Sequence, residues 1–115
     1  MIFIKSNQAN AYSGDGYTGR DYPSTDKKIN FATIKIAGRT PLKGYQVNLE
    51  CKGLFYIISG NGKLFLKDSD EVIEFEQADV LQIDEKEWYA FEGDFEAAVT
   101  NAPAWTVEQH KYTEE

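Results

Sequence analysis

Histidine and cysteine are almost absent from this 115-residue sequence, which contains one of each. The lone cysteine, Cys51, cannot form a disulfide within the chain. The lone histidine, His110, cannot supply the several imidazoles of a typical site for a first-row divalent metal. It also leaves a nucleophilic triad with a single histidine to use as its base. The sequence therefore offers little support for metal-dependent or triad chemistry.

Basic residues are also scarce, since 12 Lys and Arg stand against 19 Asp and Glu and give a net charge of −7. Nucleic acids and anionic membranes both bind basic surfaces, so we expect neither as a partner. No apolar run approaches the roughly 20 residues of a membrane span, and residues 1–8 lack the pattern of a signal peptide. Together with an unpaired cysteine, these features predict a cytoplasmic protein.

Long amphipathic helices are missing too, and the chain consists of short β-prone segments separated by turn signals. These segments are residues 29–37, 45–50, 54–58, 63–66, 72–76, 80–83, 88–91 and 95–100. Short strands at even spacing are typical of sandwiches and barrels, including jelly rolls. We therefore predict an all-β barrel over residues 29–101, with an irregular N-terminal arm over 1–28 and a polar C-terminal tail over 102–115.

The strongest turn signal is Asn61-Gly62, which lies between two apolar runs. Both residues tolerate positive φ, so the pair predicts a β-hairpin turn. Residues 68–70 and 84–87 predict two further turns. Residues 14–19 match G-x-G-x-x-G, but no strand precedes them and no helix follows, so they do not indicate a dinucleotide-binding loop.

Four stretches resemble, in order and spacing, the double-stranded β-helix of small one-domain cupins. They are residues 38–42 (GRTPL), 53–62 (GLFYIISGNG), 74–83 (EFEQADVLQI) and 88–91 (WYAF). The resemblance covers roughly residues 30–101 and implies a cupin-like jelly-roll barrel. Because cupins commonly pair through exchanged N-terminal strands, it also implies a homodimer.

The metal-binding residues of cupins are missing from the matched positions. In one register of the first cupin motif, the two histidine positions fall on Gln46 and Asn48. In the other register they fall on Gly44 and Gln46, and the carboxylate position falls on Glu50. The histidine position of the second motif is Tyr89. The resemblance thus implies a barrel without metal ligands, and we expect neither a metal ion nor another cofactor.

The polar side of the predicted strand 45–50 has two interpretations. Alternation alone favours Gln46, Asn48 and Glu50 facing solvent, with the core on the opposite side. The cupin resemblance implies that Gln46 and Asn48 point into the barrel and that Glu50 lies near its mouth. Tyr89 is then either a core aromatic or a hydrogen-bond donor to a ligand. The candidate ligand-binding residues are Gln46, Asn48, Glu50, Phe55, Tyr89 and Phe91.

Three functions are compatible with this reading of the sequence. The leading hypothesis is a metal-free cupin-like protein that binds a small polar ligand or has a regulatory role. The first alternative is a metal-independent sugar isomerase or epimerase that uses Glu50 and Tyr89 as acid and base. The second is a protein-interaction module that uses the N-terminal arm as its contact. His110 is expected to lie beyond the barrel, in the polar tail.

Overall fold

The chain folds into one antiparallel β-sheet. A computed structural model describes residues 1–113 and contains nine strands and two 3-10 turns in that range, with no α-helix. The strands are β1 (Asn10–Gly14), β2 (Tyr17–Tyr22), β3 (Asn30–Thr40), β4 (Gln46–Asn48), β5 (Lys52–Leu66), β6 (Glu71–Glu76), β7 (Val80–Ile83), β8 (Tyr89–Ala102) and β9 (His110–Tyr112); the 3-10 turns are Ser6–Gln8 and Val107–Gln109. No helix in this part of the chain has the length and apolarity that a membrane crossing requires. The all-β prediction is confirmed.

β8 is the central strand of the sheet. One of its edges pairs with β3 and the other pairs with β5 along nearly the whole of that strand. The far edge of β5 pairs first with β7 and then with β6. β4 pairs with the start of β8 and, through its other edge, with β9. Because paired strands twist, so wide a sheet curls on itself and acquires a concave inner face.

The second half of the strand pattern was predicted closely. The segments 72–76 and 80–83 correspond to β6 and β7. The turns at 68–70 and 84–87 connect β5 to β6 and β7 to β8, and each contains a residue with positive φ. Turn chemistry and alternation therefore fixed these elements from local sequence alone.

β8 is a single strand where the sequence indicated two. The predicted segments 88–91 and 95–100 are joined by backbone that stays paired with both neighbours. Gly93, at φ 152°, lies between them. A glycine in a strand permits a local bend that other residues resist, so the strand changes direction here without ending.

The predicted hairpin at Asn61-Gly62 is wrong. β5 runs through both residues, and each of them pairs with β6 on one side and with β8 on the other. The irregularity lies just before them, where the register slips between Ile57 and Ser59 and Gly60 has a φ of 82°. A β-bulge of this kind bends a strand. The chain does not reverse, because both neighbouring strands already pair with its backbone groups.

The N-terminal arm is more regular than the sequence indicated. β1 and β2 form a hairpin that extends the sheet beyond β3, from Tyr17 opposite Ile36 to Tyr22 opposite Phe31. The hairpin turn includes Gly16, at φ 82°. The G-x-G-x-x-G match therefore spans a β-hairpin: a strand does precede it, contrary to the sequence-based expectation, but a second strand and not a helix follows.

An aromatic cluster fills one part of the barrel interior. Phe91 is at its centre, with ring centroids 5.4 Å from Phe55 and 5.4 Å from Phe95. Tyr89 and Phe75 also contact it, at 5.5 and 6.0 Å. All four pairs are edge-to-face, the geometry that favours the ring quadrupoles. All five side chains are buried, so this cluster is the centre of the hydrophobic core.

Three glycines lie side by side across the central strands. Gly38 of β3 is opposite Gly93 of β8, which is opposite Gly62 of β5. A Cβ atom on Gly93 would lie 2.6 Å from both the Cα of Gly62 and the carbonyl oxygen of Asn61. A Cβ atom on Gly38 would meet nothing within 4 Å. A Cβ atom on Gly62 would lie 2.7 Å from the carbonyl oxygen of Glu92, so the close approach of β5 and β8 requires both Gly62 and Gly93, whereas nothing comparable constrains Gly38.

Gly93→Ala is expected to destabilise the fold more than Gly38→Ala. Both changes place alanine at positive φ, which costs on the order of 1 to 3 kcal/mol. Gly93→Ala also forces two backbones apart, and we expect this to cost about 1 to 3 kcal/mol more. Urea unfolding followed by circular dichroism measures both losses. Equal losses would show that the approach of β5 to β8 is not a constraint.

Candidate functional site

The aromatic cluster forms the floor of a cavity of about 960 Å³. The inner faces of β3, β4 and β8 provide its walls, and the β1–β2 hairpin and residues 104–112 surround its mouth. Ligand-binding clefts usually measure roughly 300 to 1,000 Å³. The barrel interior is thus packed in one part and open in the other.

Five of the six predicted ligand-binding residues line this cavity. They are Gln46, Asn48, Phe55, Tyr89 and Phe91. The sixth, Glu50, is exposed and lies outside the lining. Its backbone N–H donates to Oε1 of Gln109 at 3.2 Å. The structure does not bring Glu50 to the cavity beside Tyr89.

The polar side of β4 faces inward, as the cupin resemblance implied and strand alternation did not. Gln46 is 9% exposed and lines the cavity. Val47 points to the opposite side of the strand and is fully buried as well. Alternation of polar and apolar residues identifies the inner face of a strand only when the other face is exposed to water. Here the face that carries Val47 is buried too, so alternation gave the wrong orientation.

Tyr89 presents its hydroxyl group to the cavity. The side chain is 5% exposed, and the hydroxyl makes no hydrogen bond to residues 1–113. Every fully enclosed side-chain nitrogen or oxygen in this range has a partner, so the unpaired hydroxyl must reach open space. Burial raises the pKa of Tyr89 above its usual range, with smaller effects from Cys51 and Tyr112. The phenol therefore stays protonated and can donate a hydrogen bond.

The expectation that His110 lies beyond the barrel is wrong. Its strand, β9, pairs with β4 and places His110 opposite Asn48 and Tyr112 opposite Gln46. Directly opposed residues in an antiparallel ladder share a face, and all four side chains line the cavity. The error arose because residues 102–109 have the composition of a tail, although they connect two strands of the sheet.

Trp105 and Asn48 fix the orientation of His110. The indole Nε1–H of Trp105 donates to Asn48 Oδ1 at 2.9 Å, and His110 Nδ1 lies 2.7 Å from the same oxygen. An indole N–H can only donate, which identifies the shared atom as the amide oxygen. An amide oxygen can only accept, so Nδ1 of His110 carries the hydrogen. Nε2 is then the ring nitrogen with a free lone pair.

The environment of His110 favours this neutral form. Burial lowers the pKa of the imidazole below its usual range. The ring also packs against Tyr112, with centroids 4.9 Å apart, and lies 5.7 Å from Trp105. A neutral imidazole with one free nitrogen can act as a hydrogen-bond acceptor or as a base.

Gln109 holds the C-terminal segment in place. Its Oε1 accepts hydrogen bonds from the backbone N–H groups of Cys51 (2.8 Å) and Glu50, and its Nε2 donates to Ala104 O and Thr106 Oγ1, each at 3.3 Å. The side chain is 3% exposed. A single glutamine in a polar stretch carries no signal of this role, because its partners at the β4–β5 corner are distant in sequence.

Other polar groups near the cavity have ordinary structural partners. The Tyr12 hydroxyl donates to Thr33 O at 2.9 Å, and burial raises its pKa to about 12. Cys51 is 1% exposed, and burial raises the pKa of its thiol to about 11. A buried thiol with a raised pKa is not a reactive nucleophile, in agreement with the sequence-based expectation.

The residues at the cupin ligand positions do not fit a first-row divalent ion. Gln46 and Asn48 are amides and Tyr89 is a protonated phenol, whereas such ions prefer imidazole, carboxylate or thiolate. Within residues 1–113, no three His, Cys, Asp or Glu side chains are grouped so that they could hold a metal ion.

The stability of the protein should fall on acidification through His110. In the unfolded chain this residue takes up a proton near pH 6.5, whereas the folded state does so only at lower pH. Below pH 6.5 the unfolded state therefore binds more protons, and the free energy of unfolding decreases as the pH falls. Urea unfolding between pH 7.5 and 5.0 should show a steeper decline for the wild type than for His110→Gln. A constant difference between the two proteins would contradict this assignment.

Comparison with known structures supports the fold. No protein-family model matches the chain, and no curated protein matches it. Among solved structures, a variant of Streptomyces PAC13 with uridine superimposes with a TM-score of 0.87 at 16% identity, over 98% of this chain and 90% of that one. PAC13 is described as a nucleoside dehydratase.

Two further structures have the same architecture. Ectoine synthase from P. lautus gives a TM-score of 0.75 at 12% identity, over 98% of this chain and 90% of that one. KdgF from Halomonas sp. gives 0.71 at 12% identity, over 91% and 96%. Identities this low establish the fold and not the activity. The chain folds as a cupin-like β-barrel.

Proposed function

We propose that the barrel binds a small polar ligand of nucleoside size, without a metal ion. The observation that carries this proposal is the cavity of about 960 Å³, into which a few polar groups converge above an apolar floor. Such a combination is typical of small-molecule sites. The amides of Gln46 and Asn101 and the hydroxyl of Tyr89 offer both donors and acceptors.

The aromatic residues around the mouth favour a ligand with a flat ring. Tyr12, Trp105 and Tyr112 line the cavity on three different segments of the chain. Stacking of a nucleobase on an aromatic side chain contributes roughly 1 to 3 kcal/mol per base. An amide side chain has a donor and an acceptor side by side, so it can form a pair of hydrogen bonds with a base edge that offers the complementary pair.

The similarity to PAC13 gives independent support for a nucleoside. Its variants were solved with uridine, and the two chains superimpose over nearly their full length. The metal-free character of the proposal is supported by the neutral donors at the cupin ligand positions. The isomerase alternative with Glu50 as its base is not favoured, because Glu50 lies outside the cavity. A cytoplasmic location stays a prediction.

Uridine is expected to raise the melting temperature of the protein in a concentration-dependent way, because a ligand that binds only the folded state stabilises it. Tyr89→Phe removes one hydrogen-bond donor and should weaken uridine binding about threefold to tenfold by titration calorimetry. Gln46→Leu should weaken binding at least as much. Dialysis against a chelator should leave the affinity unchanged.

Two matched substitutions outside the cavity serve as controls. Tyr56→Phe makes the same chemical change on an exposed residue of β5, and Gln82→Leu does so on an exposed residue of β7. Neither should alter uridine affinity. If uridine fails to shift the melting temperature at millimolar concentration, the nucleoside proposal is wrong.

We also propose that the protein is a homodimer. The outer face of the sheet carries a row of exposed apolar side chains: Phe31 (41%), Leu54 (46%), Tyr56 (48%), Ile58 (37%) and Val80 (57%). Strand pairing makes the row continuous, since Thr100 lies between Leu54 and Phe31 and Tyr56 is opposite Val80. A continuous exposed apolar face of this kind usually marks an interface.

Leu54→Glu should convert the dimer into a monomer, because it buries a charge at the centre of the apolar face. Light scattering coupled to size-exclusion chromatography measures the mass directly. Val72→Glu is the matched control, since Val72 is at least as exposed (54%) but lies on β6, outside this row. A monomeric wild-type protein, or dissociation by both variants, would count against this interface.

A further inference from the structure

We propose that His110 is a general base in the cavity and that the site removes a proton from the carbon next to a carbonyl group of its ligand. This inference deepens the proposed function, because it uses the same cavity and adds a reaction to it. It replaces the base that the sequence indicated, Glu50, with a residue from the last strand of the sheet.

The first argument is the fixed direction of the His110 lone pair. The Trp105 indole holds the Asn48 oxygen, and that oxygen holds the Nδ1–H of His110 (2.9 and 2.7 Å). If the Asn48 amide were rotated, its NH2 group would face the indole N–H of Trp105, which cannot accept a hydrogen bond. The amide oxygen therefore faces His110, and only the tautomer with a hydrogen on Nδ1 can bond to it. The ring lines the cavity, and its Nε2 makes no hydrogen bond to residues 1–113. A positioned imidazole with a free nitrogen is the usual protein base.

The second argument is the location of Tyr89 on the other side of the cavity. Gln46 pairs with Tyr89 on one edge of β4, and Asn48 pairs with His110 on the other edge. With strands about 4.8 Å apart and a rise of about 3.4 Å per residue, the Cα atoms of Tyr89 and His110 are about 12 Å apart. Both side chains point to the same face, so a small ligand fits between them.

The reaction assigned to this pair is an enolisation. Nε2 of His110 takes the proton of the C–H bond beside the carbonyl group. The electron pair of that bond forms a carbon–carbon double bond, and the carbonyl electrons move to oxygen. The hydroxyl of Tyr89 donates a hydrogen bond to this oxygen as its negative charge develops. Return of a proton from the imidazolium restores the ligand, so the step needs no other reactant.

The carboxylates near the mouth are weaker candidates for the base. Asp26 and Glu108 are exposed to solvent, and Asp26 accepts a hydrogen bond from the backbone N–H of Lys28 at 2.8 Å. Asp21 lines the cavity from β2 but makes no side-chain hydrogen bond to residues 1–113 that would orient it. His110, by contrast, is held by the Asn48 amide, which the Trp105 indole holds in turn, so its free nitrogen has a set direction.

The test uses hydroxyacetone, a small carbon acid that does not depend on the identity of the natural ligand. In deuterated buffer at pH 7.5, proton NMR should show exchange of its hydrogens next to the carbonyl at least tenfold faster with protein than without. His110→Gln should abolish this acceleration, and Tyr89→Phe should reduce it. Lys111→Gln, one residue along β9 on the exposed side, should leave the rate unchanged. No acceleration by the wild-type protein, or its retention in His110→Gln, would overturn the proposal.

A spectroscopic measurement tests the positioning role of Trp105 separately. Nitrogen-15 NMR of labelled histidine reports one residue only, because the chain has a single histidine. At pH 7.5 the wild type should show a neutral ring with its hydrogen on Nδ1, and Trp105→Phe should show a mixture of tautomers. A hydrogen on Nε2 in the wild type would overturn the proposal. Neither the exchange experiment nor the NMR experiment uses uridine. Both therefore test the role of His110 even if uridine does not bind.

Discussion

The amide of Gln109 is the interaction on which the site depends. Four hydrogen bonds from one buried side chain join the segment after β8 to the corner between β4 and β5. A buried amide that lost these partners would be costly, so the arrangement tolerates little displacement. It brings β9 against β4 and thereby completes the cavity wall. The backbone pairing of β9 with β4 and the hydrogen bond from Trp105 to Asn48 then turn Trp105, His110 and Tyr112 toward the cavity.

The barrel interior is divided between stability and function along the same strands. On β8, Phe95 packs within the aromatic cluster away from the cavity, Phe91 forms part of the cavity floor, and Tyr89, the first residue of the strand, packs on the cluster and turns its hydroxyl toward the cavity. The cluster supplies the apolar burial that a domain of this size needs. The cavity can then remain open and polar because its floor is already stabilised by packing. The position of a residue along the strand, more than its type, decides which role it has.

Much of the fold was predictable because its signals are local. Alternation and turn residues identified β6, β7 and the turns at 68–70 and 84–87. Asn61-Gly62 misled because the same residues serve a tight turn or a bend, and the choice depends on whether a second strand pairs alongside. Local sequence cannot contain that information, since Asn61 and Gly62 pair with residues 15 and 13 positions away in β6 and more than 30 positions away in β8.

The candidate site was predictable in part for a similar reason. Gln46, Asn48 and Tyr89 were placed correctly at the cavity by the spacing of the cupin motifs, which encodes barrel geometry. The contribution of the C-terminal segment was not predictable. His110 lies in a stretch whose composition is that of a solvated tail, and its position follows from pairing with a strand more than 60 residues earlier. The composition of a segment shows that it can be exposed to water, but its position depends on which strand it pairs with.

The neutral partner of His110 has a consequence for the energetics of proton uptake. A carboxylate in place of Asn48 would attract the charged ring and hold the proton strongly, whereas an amide aligns the ring and adds no negative charge. A proton arriving at Nε2 leaves the Nδ1–H contact and the Trp105 contact as they were. The imidazole can therefore be charged and discharged while its heavy atoms stay still, and the reorganisation that slows proton transfer in water is largely absent from this ring.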